Sequence, residues 1–255
     1  MDASGRFAFV LVRPQSSGNV GAAARALKNM GFAELRLVAP ENYDPRVAST
    51  MAVHADDVLA AATTWPDLSS ALADRTLVIG TTARGGPYRV EARAPRAVAP
   101  EIVAASAANR IAVVFGPEDF GLTNQDLKLC QRLITIPTAA EYASLNLAQA
   151  VLLVAYELRA AAVARPDPAP GEQFAASADL DAMLARLERA LITIGFIPAD
   201  LPDHIMFAFR ALLGRGGVLP RELDILNGLA RQIRWFGEGG HATLAGKRQA
   251  GRPPS

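Results

Sequence analysis

The sequence predicts an α/β protein: a parallel sheet flanked by helices, followed by a small all-α C-terminal domain. Five short apolar runs bounded by turn residues recur in the first 140 residues, helical patterns separate most of them, and beyond a Pro-rich stretch only helical periodicity remains. Strands that alternate with helices form a parallel sheet, because parallel neighbours need a crossover connection. A chain of 255 residues has room for two domains at roughly 100 to 200 residues each.

In chain order the runs are Phe7 to Val12, Leu35 to Val38, Leu77 to Ile79, Ile111 to Phe115 and Leu133 to Ile136. The first helix, Asn19 to Met30, places Val20, Ala23, Ala24 and Leu27 on one apolar stripe, with Ser17 or Asn19 able to cap it. Arg25 and Asn29 fall off that stripe. The segment Asn146 to Val163 is a strong helix former and apolar nearly all round, so the core or a subunit interface must cover more than one side of it. These patterns place the first domain at residues 1–164 and a linker rich in Pro and small residues at 165–178. A helical domain is expected at 179–236, where Leu180, Met183, Leu184, Leu187 and Leu191 and then Leu223, Leu226, Leu229 and Ile233 keep helical spacing. The Gly-rich, basic residues 237–255 read as a disordered tail.

Charge and composition narrow the function. A formal charge of +1 gives no global field for a polyanion, so nucleic-acid binding must rest on local patches. The single cysteine, Cys130, excludes an intramolecular disulfide, and His54, His204 and His241 are scattered without metal-ligand spacing; no metal is expected. The N-terminus, MDASGRFAFVLVRP, is unlike a secretory signal. The uncharged stretch Tyr142 to Tyr156 contains Asn146 and Gln149 and falls short of the roughly 20 apolar residues a membrane span needs. A cytoplasmic protein with no membrane partner is the expectation.

Three segments place polar groups where apolar strands end, which is where open α/β sheets bind ligands. In Arg13 to Gly31, Gly18 and Gly21 allow a tight turn into a helix whose N–H groups favour an anion, although a plain strand-to-helix turn has the same look. The GxGxxG order of dinucleotide enzymes is absent, which disfavours a nucleotide-dependent oxidoreductase. In Val113 to Leu127 the carboxylates Glu118 and Asp119 lie between two glycines, either as a surface turn before a helix capped by Thr123 or Asn124, or as a functional pair. Adjacent residues rarely aim both side chains at one point. In Ile134 to Val151 a loop holds Glu141, Tyr142, Ser144 and Asn146 ahead of the apolar helix; Ser144 and Asn146 can cap it, and no neighbouring histidine activates Ser144 as a nucleophile.

Taken in order, NVGAAARALKNMG, FGPEDFGL, and IP followed by EYASLNLAQAV strongly resemble the three motifs of the SpoU/TrmH family in the SPOUT class of RNA methyltransferases. The stretches LERALITIGF and ELDILNGLARQI extend the likeness to the bacterial tRNA (cytidine/uridine-2'-O-)-methyltransferases of that family. The resemblance implies a deep trefoil knot, a homodimer, S-adenosylmethionine as methyl donor and 2'-O-methylation of tRNA, at position 32 of the anticodon loop. A related enzyme acting on ribosomal RNA or another tRNA position is the alternative, and a non-catalytic RNA-binding module a remoter one. The resemblance puts the donor loops at Thr81, Thr82, Ala83, Gly116, Ile136, Ala143, Ser144 and Leu145, and the catalytic set at Asn19, Arg25, Glu118, Ser144 and Asn146. Pro117 and Asp119 depart from the arginine that often flanks the motif-two glutamate, and Ala143 replaces a frequent serine. RNA contacts are expected from Arg13, Arg25 and Lys28, and from the stretch Arg84 to Arg96, where Arg84, Arg89, Arg93 and Arg96 face only Glu91 and Tyr88 is free to stack on a base. A solvated loop has the same composition.

Overall fold

The apolar runs of the first domain are continuous rather than alternating, which requires both sheet faces to be covered. A computed structural model describes residues 4–83, 92–164, 172–198 and 202–240 and shows how. Six parallel strands, β1 (Phe7–Val12), β2 (Glu34–Val38), β3 (Thr63–Trp65), β4 (Leu77–Thr81), β5 (Ile111–Phe115) and β6 (Arg132–Ile134), form one sheet in the order β3-β2-β1-β5-β4-β6. The odd-numbered residues Phe7, Phe9, Leu11, Ile79, Val113 and Phe115 pack on one face against α1 (Ser17–Met30), α5 (Pro95–Ala105) and α7 (Leu147–Ala164). Phe9 anchors this core, with ring centroids 6.3 Å from Phe115 and 5.1 Å from Phe32. On the other face Ala8, Val10, Val12, Val78, Ala112 and Val114 are buried as well.

The structure corrects the sequence reading in several places. The edge strand β3 was not expected; it is three residues long and partly exposed, so it carries no apolar run. The helices α2 (Pro45–Ala52), α3 (Asp56–Ala61), α4 (Leu68–Leu72) and α6 (Asn124–Leu127) are likewise short. The cap of α1 is Ser16, whose hydroxyl accepts from the Asn19 N–H at 3.3 Å, rather than Ser17 or Asn19. Ser17 instead accepts from the Asp44 N–H at 2.9 Å and so ties α1 to the start of α2. The two helices approach closely at Gly21, where an added Cβ would lie 1.9 Å from the Ala48 carbonyl oxygen. At Gly18 the nearest atoms would be at 3.5 and 3.6 Å, an ordinary contact. Of the two glycines that look alike in sequence, only Gly21 is required by packing.

Helix α7 buries Leu147, Ala148, Val151, Val154, Ala155 and Leu158, while Leu152, Leu153 and Tyr156 are exposed. Within one chain it is therefore covered on one side only. By length and composition it is also long and apolar enough to cross a membrane, but its buried stripe is part of the main core, packed beside α1 and α5.

The chain divides into compact units at Met1–Ala178 and Asp179–Ser255. Residues 172–177, read as linker, are fastened to the first unit: the Asn109 side chain donates to the Glu172 carbonyl at 2.9 Å and accepts from the Phe174 N–H at 2.7 Å, and Ser177 N–H donates to the Arg75 carbonyl at 2.6 Å. Residues 165–171 lie outside the described residues. The second unit comprises α8 (Ser177–Thr193), α9 (Asp203–Gly216) and α10 (Pro220–Trp235). Helix α9 was missed by the periodicity; it is held to α8 by a buried Arg210 paired with Asp181. Residues 237–240, expected to begin a disordered tail, instead belong to a turn in π-helical register, Phe236–Gly240, that follows α10, and 241–255 lie outside the described residues.

Candidate active site

Parallel strands bring their carboxyl ends to one edge, and the loops leaving β5, β4 and β6 converge there on a cleft of about 290 Å³. Thr81, Thr82 and Ala83 follow β4, Gly116 follows β5, and Ile136, Ala143, Ser144 and Leu145 follow β6; all eight line the cleft. The volume is near the lower bound for a small-ligand pocket, about 300 Å³. The wall after β5 is made of closely opposed backbone. A Cβ on Gly116 would lie 2.1 Å from the Gly121 carbonyl carbon and 2.2 Å from the Leu122 nitrogen, and the Gly121 N–H donates to the Pro117 carbonyl at 3.0 Å. No side chain fits at Gly116, so the main chain itself faces the cleft.

Beside the cleft a chain of hydrogen bonds joins all three motif segments. Asn146 caps α7, its Oδ1 accepting from the Ala148 N–H at 2.9 Å and the Gln149 N–H at 3.3 Å. Its Nδ2 donates to Asn19 Oδ1 at 2.9 Å, and Asn19 Nδ2 donates to Glu118 Oε1 at 2.7 Å. Glu118 also accepts from the Gln15 N–H at 3.0 Å and the Ser16 N–H at 3.2 Å. The helix N–H groups at one end can only donate and the carboxylate at the other can only accept, so the orientation of both amides between them is determined. Asp119 accepts from Gln15 Nε2 at 2.8 Å and from the Phe120 N–H at 2.8 Å. The two adjacent carboxylates reach the same residue at two different points, Glu118 at the backbone N–H of Gln15 and Asp119 at its side-chain amide.

Asn19 is the link whose loss leaves two groups short of partners. Asn19→Ala should destabilise the first unit by about 1 to 2 kcal/mol. Asn19→Asp, which sets a second carboxylate against Glu118, should be worse than alanine at neutral pH and recover as the pH falls. Thermal melts across pH test this; an aspartate variant as stable as the parent at neutral pH would show that the chain carries no weight.

Other predicted residues lie elsewhere. Ser144 is exposed at the cleft. Arg25 is exposed on α1, is not among the cleft-lining residues, and has no hydrogen-bond or ion-pair partner among the described residues. Arg13, expected to face RNA, grips the buried Asp126 through two contacts at 2.5 and 3.4 Å. Asp126 also closes the capping box of α6 with Thr123, so Arg13 fastens the β1–α1 turn to the loop after β5. Lys28 reaches the His54 carbonyl at 2.7 Å and Asp57 at 2.8 Å, and its hydrogen bond holds the Asp57 carboxyl below its ordinary pKa. Arg93 pairs with Glu101 at 3.3 Å and Arg96 with Glu157 at 3.2 Å. Arg84, Arg89, Tyr88 and Glu91 lie outside the described residues. The reading of single residues missed Gln15, Ser16 and Asp126, whose partners Glu118 and Arg13 are 102 to 113 residues away; their local signals are the strand end before Gln15, the cap position of Ser16 and the capping-box spacing of Asp126 from Thr123.

Comparison with known proteins gives the following matches. Residues 6–156 match the model of the SpoU rRNA Methylase family, and residues 178–248 that of the tRNA methyltransferase TrmJ C-terminal domain. The chain is 37% identical over 246 residues, 92% of its length and 96% of the relative's, to the tRNA (cytidine/uridine/adenosine-2'-O-)-methyltransferase TrmJ of Pseudomonas aeruginosa (strain UCBPP-PA14). It is 37% identical over 240 residues, 91% of its length and 97% of the relative's, to the tRNA (cytidine/uridine-2'-O-)-methyltransferase TrmJ of Escherichia coli (strain K12). The crystal structure of TrmJ from Z. mobilis ZM4 superposes with a TM-score of 0.74 at 36% identity, covering 89% of this chain and 98% of that one.

Proposed function

The chain belongs to the SpoU rRNA Methylase family, and from that premise we propose that it methylates the 2'-hydroxyl of a cytidine or uridine in tRNA, at position 32 of the anticodon loop. The observation that carries the reading is the meeting of three strand-end loops in one cleft, buttressed by the Glu118–Asn19–Asn146 chain. The match of the second unit to a tRNA methyltransferase domain favours tRNA over ribosomal RNA. We infer that S-adenosylmethionine occupies the cleft, within the knotted arrangement of loops that goes with the family. The residues present suit it: the exposed main chain around Gly116 offers polar groups at close range, and the small side chains of Thr81, Thr82, Ala83 and Ala143 leave room for a ring.

When bound, the donor supplies a methyl group activated on a sulfonium, whose thioether leaving group is neutral and needs no acid. What remains for the protein is to align the ribose hydroxyl and ease the loss of its proton. Glu118 accepts from three donors of the β1–α1 turn and start of α1, so its part is to hold loop geometry. Asn19 and Asn146 keep fixed orientations, and Ser144 presents a hydroxyl at the cleft mouth. Arg25 is the cation of the set, and it has no hydrogen-bond or ion-pair partner among the described residues. A guanidinium keeps its proton throughout the working range of an enzyme, so it serves by holding a target phosphate and stabilising developing alkoxide charge rather than as a base. Arg25 stands outside the cleft lining of a single chain, and α7 leaves Leu152, Leu153 and Tyr156 exposed. Both observations support a homodimer in which a second copy covers α7. A tRNA substrate and a buried Cys130 that forms no disulfide accord with a cytoplasmic enzyme.

Two measurements test the reading. S-adenosylmethionine at a hundred times its Kd should stabilise the protein by about 2.7 kcal/mol, or roughly 5 to 10 °C in Tm for a domain of this size, while NAD should leave Tm unchanged. Incubation with tRNA and donor, followed by 2'-O-methyl mapping, should yield one methylated pyrimidine in the anticodon loop. Unmodified tRNA alongside methylated ribosomal RNA would move the assignment to that substrate.

A further inference from the structure

The second unit has a cationic groove that the chemistry of the cleft does not use. Helix α8 contributes Arg186 and Arg189 at i and i+3, and α10 contributes Asp224, Asn227, Arg231 and Arg234 at i, i+3, i+7 and i+10, one stripe of each helix. Ala230 between them is small and buried, which keeps the groove deep. The space is about 640 Å³, and its lining has four guanidinium groups against one carboxylate, Asp224. Two of the arginines are partly committed: Arg186 donates to Asn227 Oδ1 at 2.7 Å, and Arg234 pairs with Glu238 at 2.7 Å. Arg189 and Arg231 are exposed, and their guanidinium groups have no hydrogen-bond or ion-pair partner among the described residues. Like charges gathered in one concavity raise the local potential and attract an anion. Four guanidinium groups against one carboxylate give this lining a local excess of positive charge in a chain whose net charge is only +1.

We propose that this groove binds the phosphate backbone of the RNA substrate, an inference that rests on the RNA substrate proposed above. Side chains three and four apart on a helix lie about 5 to 6 Å from one another, so each stripe offers a row of cations able to follow successive phosphates. The guanidinium fork takes phosphate oxygens two at a time. Among the described residues none that lines the groove is aromatic, so they offer bases no stacking surface and hold the RNA without reading its sequence. It anchors the body of the RNA while the cleft of the first unit selects the reacting nucleotide. An acidic polypeptide is the other polyanion such a groove can attract; RNA is favoured because this unit matches a tRNA methyltransferase domain.

The test uses the full chain with Arg189→Ala/Arg231→Ala and with Arg189→Lys/Arg231→Lys, since both positions are exposed and their replacement should leave the melting temperature unchanged. Fluorescence anisotropy with tRNA over a salt series should show at least tenfold weaker binding for the alanine pair. The slope of log affinity against log salt should fall by roughly 1.4 to 1.8, two contacts at about 0.7 to 0.9 each. The lysine pair should keep the slope and most of the affinity. Methylation kinetics should show a raised KM for tRNA with kcat and donor-induced stabilisation unchanged. Parental affinity and slope in the alanine pair would overturn the proposal, as would loss of poly-glutamate binding with tRNA binding intact. A parent protein that binds tRNA through these arginines but never methylates it would leave the groove standing and sink the proposed reaction. Methylation with unaltered tRNA affinity would do the reverse.

Discussion

Arg25→Ala should lower kcat for tRNA methylation by about 10² to 10³-fold, the usual cost of removing one preorganised donor from a developing anion, while fold and donor binding survive. Arg25 is exposed and partnerless among the described residues, so its truncation removes no structural contact, and such surface changes stay within about 0.5 kcal/mol. It does not line the donor cleft, so the stabilisation by S-adenosylmethionine should be that of the parent. Arg25→Lys retains the charge but not the planar fork and should recover only a small part of the rate. Single-turnover methylation at saturating tRNA reads the effect directly. A kcat within a factor of three of the parent, with tRNA bound normally, would remove Arg25 from the mechanism.

Gly116→Ala should abolish donor binding. The added Cβ would sit 2.1 Å from the Gly121 carbonyl carbon and 2.2 Å from the Leu122 nitrogen, both main-chain atoms that cannot rotate away. The loop after β5 must open, at a cost of about 1 to 3 kcal/mol for an overpacked site, and that loop is one wall of the cleft. Isothermal calorimetry with S-adenosylmethionine and a thermal melt separate the two effects. Gly18→Ala is the matched control, because the nearest neighbours of its Cβ would be 3.5 and 3.6 Å away. Donor binding that survives Gly116→Ala would place the donor elsewhere.

Much of the fold was legible because it is encoded in local periods. The all-buried β1 and β5 appear in sequence as unbroken apolar runs, FAFVLV and IAVVF, since both faces of a parallel sheet are covered. The buried stripe of α1, Val20, Ala23, Ala24 and Leu27, follows directly from the helical period. Strand β3 left no such trace, because a short edge strand has little to bury. Helix α9 was expected only as part of the helical stretch 179–236, with no period of its own read for it, and the chain into it from 199 to 201 lies outside the described residues.

Charged side chains were the least legible. Arg13 and Lys28 read as RNA contacts only because Asp126 and Asp57 are 113 and 29 residues away. The same gap concealed the more informative pairing, Asn19 with Glu118 across 99 residues and with Asn146 across 127. Sequence alone determined the five strands that carry apolar runs and the long helices α1, α7, α8 and α10, the order of the three motifs, and that their polar residues stand where strands end. It determined these because hydrophobic period, turn chemistry and motif order are properties of a window of neighbouring residues. Only the tertiary structure decided that packing requires Gly21 and Gly116 but not Gly18, that Arg13 is a fastening while Arg25 has no partner among the described residues, and that the arginines of α8 and α10 line one groove. Those outcomes depend on which distant element is folded against each residue, and no local window contains that partner.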